Sequence, residues 1–166
     1  ASVPELIKKA KDLNQEYLAI TDHGYMYGVH NFYVKCLEKE IKPILGCEIY
    51  MARKTRFDRD PQKDKIRYHI VLLAKNDQGY KNLMRLATLA NTEGFYYRPR
   101  IDWEILEKFH EGIICTSACL LGEIPRAIRH EEMPKAEKTT KKFLEIFKDD
   151  FYLEIQRHPG TKEDQK

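Results

Sequence analysis

Short apolar runs rich in β-formers alternate with stretches of helical periodicity along nearly the whole chain, and this alternation restricts the possible folds most. Residues 17–20, 42–51, 68–74, 112–116 and 151–156 each have the length and the Ile, Val, Leu, Tyr and Phe content of a strand. Between them, Val29, Phe32, Tyr33, Cys36 and Leu37 recur at helical spacing, as do Tyr80, Leu83, Met84, Leu86, Ala87 and Ala90. Ala136, Phe143, Leu144 and Phe147 form a third such stripe, with lysines on its other side. Strands joined by helical crossovers imply an α/β fold with a mostly parallel sheet, either open or curled into a partial barrel. The strands recognised are too few to close an eight-stranded barrel.

Local signals fix several element ends. Ser2 and Glu5 stand in capping-box spacing with Pro4 in the first turn, and Leu6, Ile7, Ala10 and Leu13 then form one apolar stripe that Asn14 ends. Asn76 or Asp77 caps the helix that follows the third strand, and Asp102 caps a short helix through Trp103, Leu106 and Phe109. Two stretches break the pattern. Residues 53–66 are densely charged and lack a crossover helix, so they form a surface excursion, either a hairpin or a mobile loop. Their interleaved acids favour a solvated loop over nucleic-acid contact. Residues 94–102 combine aromatics with Arg98 and Arg100, a composition that can stack and neutralise a single strand or pin a long loop to the body; pinning is the preferred reading.

With 166 residues, the chain fits one domain able to bury a core without staples. No apolar run approaches the ~20 residues of a membrane helix, and the first residues lack the features of a signal peptide, so a cytoplasmic address is expected. Four cysteines inside or beside apolar segments suit a reducing compartment, as buried thiols or a metal ligand. A formal charge of +3, from 29 basic and 26 acidic side chains, neither requires nor excludes nucleic acid.

Candidate functional residues sit at strand ends. The first strand runs into Thr21-Asp22-His23-Gly24, which reads either as an Asx turn or as delivery of two polar groups to a site at the strand tip. Glu48 interrupts an apolar strand, where a carboxylate needs an edge, a partner or a cation. His69 lies within a buried strand as a core histidine or a ligand, and Cys119 lies just past a strand tip as an apolar filler or a ligand. His158 directly follows the last strand. Imidazole, carboxylate and thiolate together suit zinc, or a mixed-metal cluster that tolerates manganese or iron, and neighbouring metals suit phosphoester hydrolysis.

Thr21-Asp22-His23-Gly24, Gly46-Cys47-Glu48-Ile49-Tyr50, the run from Tyr68-His69 to Ala74, the Phe95-Tyr96-Tyr97-Arg98-Pro99-Arg100 loop and Cys119-Leu120-Leu121-Gly122-Glu123 occur in this order. Together they resemble the polymerase-and-histidinol-phosphatase (PHP) domain family, in the branch found at the N-terminus of the bacterial DNA polymerase III alpha subunit. The resemblance implies a distorted seven-stranded (β/α) barrel, of which the first and last strands are missing here. It also implies up to three metals, zinc or manganese, at the strand ends. His23, Glu48, His69 and Cys119 match ligand positions, Asp22 would orient its neighbour or stand just behind the metals, and His158 is a near-site candidate. The family's opening His-x-His and aspartate and its closing Asp-x-His have no counterpart, which implies partial metal occupancy or none. The implied function is support of a replicative polymerase, with metal-dependent 3′–5′ exonuclease chemistry. Its implied partners are the rest of the alpha chain, DNA and other replisome subunits. A stand-alone phosphatase of the histidinol-phosphate type and a non-catalytic scaffold are the alternatives.

Overall fold

The computed structural model describes residues 2–156. Helix α1 (Val3–Asp12) starts where the sequence places it, with the Glu5 carboxylate accepting from the Ser2 N–H at 2.7 Å. Asn14, just past its end, takes a left-handed φ of 54°, which asparagine tolerates better than most residues. Strand β1 (Tyr17–Ile20), helix α2 (Val29–Glu38) and strand β2 (Lys42–Ala52) follow as one β–α–β unit, with β1 and β2 parallel.

The next strand departs from expectation. β3 (Arg67–Ala74) runs antiparallel to β2 over seven paired positions, from Gly46↔Leu73 to Ala52↔Arg67. The 53–66 excursion carries no crossover helix, so the chain returns along its own neighbour, as a hairpin does. The sheet is therefore mixed rather than mostly parallel. Helix α3 (Asp77–Thr92), capped by the Asn76 side chain on the Gly79 N–H, leads to a strand too short to be seen in the sequence, β4 (Arg100–Ile101). β4 pairs parallel with β2 at Tyr50 and Met51, beyond the residues that β1 occupies. Helix α4 (Trp103–Lys108), capped by Asp102, precedes β5 (Ile113–Thr116), which lies antiparallel to β3. Helices α5 (Glu123–Arg129) and α6 (Met133–Phe147) then lead to β6 (Phe151–Tyr152), parallel to β5 and shorter than the 151–156 run suggests. The strand order is β1-β2-β3-β5-β6, with β4 beside β2, and the sheet does not close.

The helices share one face of this sheet. Cys47, Ile49 and Met51 of β2, Tyr68, Ile70 and Leu72 of β3, and Ile113 and Cys115 of β5 join Leu83, Leu86, Leu106 and Phe143 in the main core. Leu45 has the same parity in β2 and joins Leu18 and Ile20 against Ile7, Ala10, Phe32 and Cys36. Strand side chains alternate between faces, so Glu48, Tyr50, Arg67, His69, Val71 and Thr116 project from the face turned away from the helices. Among the described residues, no helix is long and apolar enough to cross a membrane.

The excursion is not the solvated loop its composition suggests. Arg56 and Asp64 are buried. Arg56 donates to Glu93 at 2.6 Å, to both Asp102 oxygens at 3.1 Å and to Glu104 at 3.0 Å, while Arg53 pairs with Asp64 at 3.0 Å. Arg100 is 1% exposed and donates to the carbonyls of Gly94, Asp64, Arg56 and Asp58 at 2.8–3.2 Å. This guanidinium ties the 94–100 loop to the excursion and has no face left for a nucleic-acid strand; only Arg98 of that pair lies exposed.

Candidate metal centre

The residues that end β1 continue alongside β2 for one more step. The Glu48 N–H donates to the Asp22 carbonyl at 3.0 Å and the Gly24 N–H to the Glu48 carbonyl at 2.8 Å, so His23 is held directly beside Glu48. Gly24 has a φ of 74°, and a Cβ there would lie 2.9 Å from Pro99 Cγ and 3.1 Å from Tyr50 Cε2. The positive φ of Gly24 makes the turn, and the same turn sets His23 beside Glu48. Below them, the Cys47 thiol donates to the Asp22 and Tyr25 carbonyls at 3.3 and 3.4 Å. Burial pushes this thiol up to about 12, which keeps it a donor at neutral pH.

Four side chains meet above the open face. His69 Nδ1 lies 2.6 Å from Glu48 Oε1, and His23 Nδ1 lies 3.5 Å from the same oxygen. Cys119 Sγ approaches His69 Nδ1 at 3.5 Å and Glu48 Oε1 at 3.9 Å. Tyr50 completes the wall, with its ring stacked on His23 at 6.3 Å between centroids and edge-on to His69 at 5.0 Å. His69 is buried and Glu48 half-buried, whereas the His23 side chain is 60% exposed, so the group opens to solvent on one side. Burial alone would raise the Glu48 carboxyl. The His69 hydrogen bond, the nearby imidazole charges and the Cys119 contact outweigh it and hold Glu48 below the usual carboxylate range.

Cys119 reaches this point because its loop is tied at both ends. The Ser117 N–H donates to the Tyr152 carbonyl at 3.0 Å, Gly122 N–H to Cys119 O at 2.9 Å, and His69 N–H to Leu121 O at 3.2 Å. Ala118 takes a φ of 56° to make the bend, and a Cβ on Gly122 would lie 2.3 Å from the Ser117 carbonyl oxygen. Burial raises the Cys119 thiol, and the Glu48 and Glu154 carboxylates add to the rise.

His23, Glu48 and His69 offer ligand atoms that all lie within 4.8 Å of one another, and Cys119 stands beside them. Two nitrogens and a carboxylate oxygen, with a thiol at hand, form a donor set that fits a divalent transition-type cation and leaves coordination positions open. Asp22 behaves otherwise than expected. Its Oδ2 lies 2.7 Å from the place of a Cβ on Gly28, and its backbone carbonyl accepts from the Glu48 N–H. His158 lies outside the described residues.

Sequence reasoning passed over Tyr50, Arg67 and Glu154. Tyr50 follows Glu48 by two residues and Arg67 precedes His69 by two, so period-two neighbours of the chosen residues would have found them. Glu154 accepts from Thr116 Oγ1 at 2.6 Å, and its N–H donates to Ser117 Oγ at 2.9 Å, beside the Cys119 loop. Its signal was the one used for Glu48, a carboxylate in an apolar run.

The chain is 47% identical to the DNA polymerase III subunit alpha of Borreliella burgdorferi over 95% of its length, and 47% identical to that of Aquifex aeolicus over 93%. It is 44% identical to that of Thermus aquaticus over its whole length. In each case the chain spans about 14% of the relative. Among solved structures, an amidohydrolase from Chromobacterium violaceum superposes on 51% of this chain and 28% of its own, with a TM-score of 0.36 and 19% identity. Residues 1–158 match the PHP domain, and the chain belongs to that family.

Proposed function

We propose that this chain is the PHP portion of a bacterial DNA polymerase III alpha subunit, and that His23, Glu48 and His69, with Cys119 beside them, form a metal-dependent phosphoesterase centre within it. The identity of 47% across 95% of the chain supports the polymerase assignment. The observation that carries the chemistry is the convergence of two imidazoles and one carboxylate within 4.8 Å on a solvent-open side of the sheet. In this reading the open sheet is part of a distorted barrel, the cation is zinc or manganese, and the surroundings are the bacterial cytoplasm, the rest of the alpha chain, DNA and other replisome subunits.

A bound divalent cation supplies Lewis acidity toward a phosphoryl oxygen. The protein's own part is to assemble the donors and to surrender protons. Glu48, already held below the usual carboxylate range, offers a full negative charge at neutral pH. His69 must release the Glu48 contact or share it, and Cys119 must lose its proton if it joins, so cation binding competes with protons. The exposed side of His23 is the entry for substrate.

The full-length parent protein, supplied with manganese or zinc, tests this reading on 3′-labelled single-stranded DNA and on histidinol phosphate. Release of nucleotides from the 3′ end, abolished by Glu48→Gln with polymerisation intact, is the expected result. Phosphate release from histidinol phosphate without nucleotide release would instead identify a stand-alone type of phosphatase. Inertness toward both would leave a scaffold.

A further inference from the structure

We propose that Arg67 is the phosphate-binding residue of this face, receiving the anionic group of a phosphoester beside His23, Glu48 and His69. The inference rests on the phosphoesterase reading above and adds to it a residue that holds substrate. Arg67 opens β3 two residues before His69, so the two side chains leave the same face of the sheet. Its guanidinium carbon lies 5.5 Å from the centroid of the Tyr50 ring, a cation–π distance. The same ring packs against both His69 and His23, so a single aromatic ring separates this cation from both imidazoles.

The bonding of Arg67 is incomplete in a way that its neighbours' is not. Arg56 answers three carboxylates, Arg53 answers Asp64, and Arg100 answers four carbonyls. Arg67 donates once, from Nη1 to the Lys65 carbonyl at 3.0 Å, and forms no ion pair among the described residues. Its Nε is the one buried side-chain nitrogen or oxygen among the described residues without a hydrogen-bond partner. A buried N–H left unpaired costs about 1–3 kcal/mol. Turning the guanidinium toward the open face gives up one hydrogen bond, to a carbonyl near water, and brings Nε and Nη2 into position to donate side by side. A phosphate offers two oxygens at the matching spacing, and the arginine fork is built for that pairing. No acceptor among the described residues meets Nε, and Glu48 Oε1 is already shared by His69 and His23, so an acceptor from outside is the partner proposed.

The test titrates inorganic phosphate into the full chain at constant ionic strength while following the Arg67 Nε–H resonance by NMR. Manganese binding is measured in parallel from the EPR signal of the free ion. Arg67→Met keeps the stem and removes the donors, and Arg67→Lys keeps the charge without the fork. The expected result is a saturable shift of the Nε–H resonance and a loss of phosphate affinity in Arg67→Met of roughly tenfold to a hundredfold, the range for a charge-assisted pair. Arg67→Lys should fall between, with manganese binding equal in all three proteins. Should Arg67→Met fail to fold, the lysine variant still decides the matter through the loss of the forked pair. Equal phosphate affinity in parent and variants, or a resonance indifferent to phosphate, overturns the inference and leaves the metal reading standing. Manganese that stays free while the arginine behaves as expected overturns the phosphoesterase reading and leaves an anion site.

Discussion

Two polar regions of this molecule lie close in sequence and differ in how their charges are answered. Under the 53–66 excursion, Arg56, Asp64, Arg100 and Asp102 are buried, and each is met by charges, carbonyls or N–H groups from the loop itself and its neighbours. On the open face of the sheet, Glu48 draws three groups toward a single oxygen, His23 faces water, and Arg67 Nε has no hydrogen-bond partner among the described residues. The first region is complete within the chain. The second brings ligand-type groups together on a side open to solvent, as the proposed metal centre requires. A buried polar cluster satisfied by its own residues holds structure together, whereas one with surplus donors and convergent ligands is a candidate site.

The sharpest way to break the comparison is to damage the complete region. Arg56→Met leaves Asp102 buried without its cation, and stranding one member of a buried pair costs about 3–5 kcal/mol. The Arg56 and Ile105 N–H groups still donate to Asp102, so the lower end, about 3 kcal/mol, is expected from urea unfolding. A loss below about 1 kcal/mol would mean that the knot is no more structural than the open face.

Glu48→Gln is the counterpart on the open face. Little stability should be lost, because the group is half-buried and water reaches its side of the sheet. Zinc or manganese affinity should instead fall by at least about a hundredfold, since even removing a group that only supports a metal ligand costs 10–100-fold. The pH profile adds a second readout. The Glu48 carboxyl is held low by its partners, so its contribution is present above the usual carboxylate range and is lost as pH falls through the lowered value. Glu48→Gln should flatten that acid limb of the stability curve. An unchanged limb together with unchanged metal affinity would show that the convergence at Oε1 has no consequence.

Thiol chemistry sharpens the same contrast at smaller effect. Cys36, Cys47 and Cys115 are fully buried, Cys47 is pushed up to about 12 and Cys115 rises well above the usual thiol value. Cys119 is only partly buried, although its thiol is raised as well. Iodoacetamide on the folded protein should modify Cys119 first, slowly at pH 8 and faster as pH rises, because the thiolate is the nucleophile. Zinc should protect it. Mass spectrometry that finds Cys47 modified as fast as Cys119 would mean that the turn beneath His23 opens readily.

The two regions also differed in how far the sequence revealed them. His23, Glu48, His69 and Cys119 could be picked out because each is a ligand-type residue in or just past an apolar run, although the structure gathers them on a face of the sheet rather than at strand ends. The α/β class and most helix ends were legible for the same reason, through period and capping residues. Strand direction was not. A charged stretch without helical period can as easily be a crossover as a hairpin, and only the pairing of Gly46–Ala52 with Arg67–Leu73 decides. The buried knot was hidden because composition reports charges without their partners. Arg56 and Asp102 are 46 residues apart, and nothing local distinguishes them from solvated residues. β4 escaped because two residues carry no periodicity at all.

Arg98 and Arg100 make the finest form of the comparison, because they share a loop, a charge and an aromatic neighbourhood. Arg100 is closed in, its guanidinium donating to four carbonyls and lying 5.2 Å from the Tyr96 ring centroid. Arg98 is exposed, and its carbonyl, not its side chain, holds the loop by accepting from the Tyr96 N–H at 3.1 Å. Truncating Arg98 to alanine removes no partner from a buried group and leaves that backbone bond intact. The urea midpoint should therefore stay where it is, while Arg100→Met lowers it by exposing four carbonyls to an apolar stem. If the Arg98 change moves the midpoint as far as the Arg100 change does, the loop is held by its overall charge, and burial of one guanidinium is not what fixes it.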